Sequence, residues 1–160
     1  MDLTAIVQKN KADKSLRFAN YLIDFSCVII ISLIVGALIG LLSVIFNFDI
    51  YFLDNELISR LVGLFILLFY YTSIETLTKG RSVGKLITGT KVVTLEGQQP
   101  ANSVFLKRSL CRIIPFEAFS FLGKNGWHDS IPKTAVVVKK HFDYELNLSL
   151  DVDKIGKEID

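Results

Sequence analysis

The chain has 160 residues, room for one domain, and a formal net charge of only +2. Hydrophobic residues make up 51 % of it and the mean hydropathy is +0.44, high for a soluble domain. Its two cysteines and two histidines show no metal-ligand spacing, so neither a zinc module nor a disulfide scaffold is expected.

Residues 1–14 are polar and mixed in charge and read as a cytoplasmic arm, either mobile or a short surface helix. Asp13 or Ser15 is placed to cap a helix starting near Leu16. From Tyr21 to Phe46 the only charged side chain is Asp24, and from Leu57 to Thr78 only Arg60 and Glu75 interrupt the apolar run. Each stretch meets the roughly 20 residues that a helix needs to cross a hydrocarbon core of about 30 Å. Two transmembrane helices, about 16–46 and 57–78, are therefore predicted. The first is too long for the apolar segment of a cleaved signal peptide and lacks a small-residue cleavage site. Gly36 and Gly40 within it form a small-xxx-small pair, a pattern that lets another helix approach closely. Lys9, Lys11, Lys14 and Arg17 precede the first helix, and Lys79, Arg81, Lys85 and Lys91 follow the second. The intervening loop is acidic, with Asp49, Asp54 and Glu56. By the positive-inside rule the N-terminus and everything after Thr78 face the cytoplasm.

Residues 79–140 form the cytoplasmic cap. Gly89 to Leu95 reads as a strand, EGQQP as a turn and Thr134 to Lys140 as a second strand. A lone two-stranded ribbon is not stable, so the strands are expected to pair and lie on the helix ends or the membrane surface. Between them, residues 104–122 carry Lys107, Arg108, Arg112 and Glu117 around Pro115. Charges at mid-depth cost about 2.5–3.5 kcal/mol each. The expectation is a basic amphipathic helix up to Ile114, then a Pro-initiated helix, PFEAFSFL, lying at the interface or re-entering part-way, with a full crossing as the alternative. Residues 141–160 read as a loose polar tail.

On a helix, Arg17, Asn20, Asp24 and Cys27 share one polar stripe. Arg17 and Asp24 are about 10 Å apart along the axis, too far for an easy ion pair, so Asp24 needs a partner from elsewhere, with Asn20 as a possible bridge. Glu75, one turn from the inner end of the returning helix, comes to similar depth. Asp24 and Glu75 are thus either a cation- or proton-binding pair or part of a fixed charged cluster with Arg17, Lys79, Arg81 or Arg112. The shallow depth favours the second.

GRSVGK, residues 80–85, has one residue too few between its glycines for a phosphate loop, has Leu86 where Ser or Thr should stand, and follows no strand. Its glycines are expected to let the chain turn out of the membrane. GWHDS, residues 126–130, places His128 beside Asp129 but offers no nucleophile, so no enzyme activity is expected. Trp127 suits an interfacial anchor, Asp129 a cap or a partner for a cytoplasmic arginine, and His128 a pH sensor. No cofactor and no metal are expected.

Arg17, Asp24 and Asp129, together with GRSVGKLITGTKVV, LKRSLCRIIP and GWHDSIPKTAVVV in that order, resemble the RDD family of small, mostly bacterial integral membrane proteins. The family is named for an arginine and an aspartate in the first helix and a later aspartate. The resemblance spans about residues 15–140; many relatives have a clearer third span than Ile113 to Leu122. It implies a multi-pass protein of the bacterial inner membrane. It also implies cation/proton transport for some members, and here that reading needs an oligomer, because two spans cannot enclose a pathway. The other reading is a membrane scaffold or accessory subunit whose cap binds a protein partner. The expected partners are the lipid bilayer and a second copy or another membrane protein, with no nucleic acid.

Overall fold

The computed structural model describes residues 3–114 and 126–159, with the side chains of 152–159 left aside. A short helix α1 (Leu3–Lys9) precedes α2 (Lys14–Phe46), a 3-10 turn (Tyr51–Asp54) and α3 (Glu56–Leu77). The cap comprises α4 (Val83–Thr88), β1 (Thr90–Thr94), α5 (Asn102–Cys111), α6 (Trp127–Ser130), β2 (Thr134–Val138) and α7 (Lys139–Ile159).

Helices α2 and α3 are long and apolar enough to cross a membrane. With 33 residues, α2 runs about 50 Å, well beyond a hydrocarbon core of about 30 Å. Its first turns are therefore free to belong to the cap. Asn47 ends α2 in the left-handed conformation that asparagine tolerates. Asn55 starts α3 by accepting the N–H groups of Leu57 and Ile58, at 2.9 and 3.4 Å.

β1 and β2 pair antiparallel in the register Thr90↔Val138 to Thr94↔Thr134, as expected from their composition. The chain at Lys11 extends the sheet by one bridge, with Ala12 donating to the Val136 carbonyl and Val138 to that of Asn10, both at 2.9 Å. Strand alternation sorts the apolar side chains onto two faces. Val93, Ala135 and Val137 pack with Ile6, Val7 and Phe142, while Val92 and Val136 pack with Ala12 and Leu16.

Two expectations change. The arm is a packed helix with Ile6 and Val7 buried. The segment from His141 is not a loose tail but most of α7, which sets Phe142 and Leu146 against α1 and the sheet. The basic helix α5 stops at Cys111, and the turn that follows reaches Ile114. The Pro-initiated helix expected at Pro115–Leu122 lies outside the described residues.

Candidate functional site

The first turns of α2 present Arg17, Asn20 and Asp24 on one face, all buried. What covers them is α4. A Cβ on Gly84 would stand 2.4 Å from the Asn20 carbonyl oxygen, so the two backbones touch where no other residue fits. Gly84 is therefore a close-packing residue, not the turn that its motif suggested. Ser82 is the N-cap of α4, its Oγ accepting the Lys85 N–H at 3.4 Å. The next unsatisfied donor of α4, the Gly84 N–H, is taken by Asp24 Oδ1 at 2.8 Å. Tyr70 donates to the same oxygen at 2.9 Å, and the Ser82 hydroxyl to Oδ2 at 2.5 Å. Asp24 thus caps a neighbouring helix, and all its donors among the described residues are neutral. Asn20 donates to Thr90 Oγ1 at 3.0 Å and accepts from Thr88; it does not bridge Arg17 to Asp24.

Glu75, on the last turns of α3, has no exposed surface. Lys85 Nζ donates to it at 2.9 Å and Arg108 Nε at 3.3 Å, with Arg112 Nη2 at 3.8 Å. Arg112 also lies over the Tyr71 ring, 3.9 Å from its centroid. Lys85 Nζ further donates to Ser82 Oγ at 3.1 Å. Asp24 and Glu75 are thereby joined through Ser82 and Lys85. Burial pushes the Lys85 ammonium below the usual lysine range, and the Glu75 carboxylate restores only part of the loss.

Asp129, on α6, receives Arg17 on Oδ2 and Arg108 on Oδ1. Arg108 Nη1 also donates to the His128 carbonyl at 3.1 Å and to the Thr134 hydroxyl. Burial pushes the Asp129 carboxyl up, but the neighbouring charges of His128, Arg108 and Arg17 outweigh it and hold the group well below the usual carboxylate range. Arg108 is fully buried and spans Glu75 and Asp129. The cluster as a whole sets four cations, Arg17, Lys85, Arg108 and Arg112, against three carboxylates, Asp24, Glu75 and Asp129.

Of the sequence candidates, Arg17, Asp24, Glu75, Arg112 and Asp129 meet in this cluster. Arg81 does not, because the turn at Gly80 (φ 93°) leads it to another cavity with Lys79. Trp127 opens α6 and is 41 % exposed. His128 lies 3.7 Å from Asp129, beyond a hydrogen bond. Sequence reasoning missed Tyr70, Ser82, Lys85 and Arg108. The first sat in an apolar run, the next two in a motif weighed as a phosphate loop and as a turn out of the membrane, and Arg108 on a helix read only as basic and amphipathic. Among the described residues no group of His, Cys, Asp and Glu is arranged to hold a metal.

The model of the RDD family matches residues 12–135. No curated protein and no solved structure matches.

Proposed function

The chain belongs to the RDD family, and from that premise we propose that it is a non-enzymatic membrane scaffold or accessory subunit of the bacterial inner membrane. Its hairpin anchors a cytoplasmic cap, with the N-terminus in the cytoplasm, and the cap recruits a protein partner. The charged cluster is the lock between hairpin and cap. The observation that carries this reading is Glu75. It is fully buried and enclosed by Lys85, Arg108 and Arg112, which come from the two cap helices α4 and α5 and the turn after α5. A carboxylate so enclosed is costly to expose and offers no vacant side to a passing cation.

A second reading, proton or cation exchange, rests on Asp24. Among the described residues it has no ion pair, only the neutral donors Tyr70, Ser82 and Gly84. Its hydrogen-bond chain through Ser82 and Lys85 to Glu75 would carry a proton between the carboxylates.

Reconstitution of the purified protein into vesicles with a pH-sensitive dye separates the two. The lock predicts no cation-driven proton flux above that of empty vesicles. It also predicts that Glu75→Gln lowers stability by about 3–5 kcal/mol, as expected when a buried pair loses one partner. Flux by the wild type that disappears in a stably folded Asp24→Asn variant would instead establish exchange.

A further inference from the structure

Outside the charged cluster, Lys79, Arg81, Lys91 and Lys139 line a cavity of about 440 Å3 whose walls include Val92 and Leu146. That volume lies within the roughly 300–1,000 Å3 usual for small-ligand sites. The cations are poorly compensated. Asp143 pairs with Lys91 at 2.5 Å and Lys139 at 3.2 Å. Neither Lys79 nor Arg81 has an ion-pair partner among the described residues. Arg81 Nε is also buried without an acceptor among them, so the charge of this guanidinium is met by no carboxylate there.

The loop carrying these two residues is built rigidly. Gly80 donates to the Glu75 carbonyl at 2.7 Å and Lys79 to that of Thr76 at 3.5 Å, the paired bonds of a Schellman helix end. Lys79 therefore occupies the left-handed position, φ 57°, where glycine is the usual residue. Val92 donates to the Gly80 carbonyl at 3.0 Å, and the Thr78 hydroxyl holds both the N–H and the carbonyl of Arg81. The left-handed backbone at Lys79 costs more than it would with glycine, and it sets a cation beside Arg81 at the cavity.

We propose that this cavity binds a phosphate-bearing anion, with Arg81 as the forked donor and the lysines as point charges. The loop directly follows the last turn of α3, so an anionic lipid headgroup and a soluble phosphate are recognised by the same chemistry.

The test is thermal unfolding of the full chain. In one arm the protein is in neutral detergent, and inorganic phosphate is titrated against chloride at matched ionic strength. In the other it is in phosphatidylcholine nanodiscs with or without phosphatidylglycerol. A rise in Tm with phosphate alone assigns a soluble ligand; a rise with phosphatidylglycerol alone assigns a headgroup. Arg81→Gln weakens the response about tenfold or more. Lys79→Gly also weakens it, yet raises the ligand-free Tm by about 2–4 °C by removing the left-handed lysine. No response in either arm, a response equal to that of chloride, or one unchanged in both variants overturns the proposal.

Discussion

One methyl group tests how α4 is seated. In Gly84→Ala the new carbon would stand 2.4 Å from the Asn20 carbonyl oxygen and 3.0 Å from its Cα, atoms that cannot swing aside as a side chain would. Overpacking of this kind costs about 1–3 kcal/mol, and here it also pulls the Gly84 N–H from Asp24. The expected result is a lowered Tm in detergent, while Gly89→Ala, where a Cβ meets nothing, costs only its left-handed backbone. Asp129 gives a pH signature. Its folded-state pKa is depressed, so its contribution is complete at neutral pH, begins to fade as the pH drops below about 4, and is lost through the lower folded value. Asp129→Asn should flatten that acid limb of a Tm-against-pH curve; an unchanged limb would detach Asp129 from the cluster's stability. The stripe Arg17, Asn20, Asp24 was legible because helical periodicity puts spacings of three and seven on one face. Asp129 was legible as a partner for an arginine, and Arg17 meets it, but the partners of Asn20 and Asp24 were not. They depend on a backbone contact at Gly84 that leaves no local trace beyond the glycine itself.

Helices α1 and α7 share one core with the sheet. Phe142 is 1 % exposed and sits among Ile6, Val7, Val93, Ala135 and Val137. Lys9 and Asn10 also meet Glu145, at 2.6 and 2.9 Å. The acidic, polar composition after His141 hid this helix, since its few apolar residues gain nothing until α1 and the sheet supply the other wall. The strands were easier to read, because β-branched runs bounded by turn residues announce themselves. Phe142→Ala should cost about 3–5 kcal/mol and open the arm. Limited trypsin digestion would then cut at Lys9, Lys11 or Lys14 much faster than in the wild type, with the hairpin left intact. Equal cutting rates would mean that α1 is held by something other than this core.

For the molecule as a whole, the polar cluster joins α2 and α3 to the cap at one end, and among the described residues none of α2 beyond Asp24 is buried. None of the most apolar stretch of α2 is buried by the chain itself. Between the two helices a gap of about 210 Å3 opens, lined by Ser32, Gly36, Ser59 and Gly63 among others. A Cβ on Gly36 or Gly40 would touch nothing within 4 Å, so neither glycine serves a close contact among the described residues. Lipid tails are as apolar as leucine, so burial alone does not pull such helices together; close packing of small residues does. The expected result is a mass in mild detergent above that of one 18.0 kDa chain, read by light scattering with detergent subtracted. Joint Gly36→Leu and Gly40→Leu substitution should shift it toward a single chain without lowering the Tm of the cap, since neither glycine contacts it. A wild type that is already a lone chain would remove both the homo-oligomer and the exchange reading, because the two candidate spans among the described residues do not by themselves wall off an aqueous path from lipid. Only a partner bound to the hairpin or the cap would then remain to complete the structure.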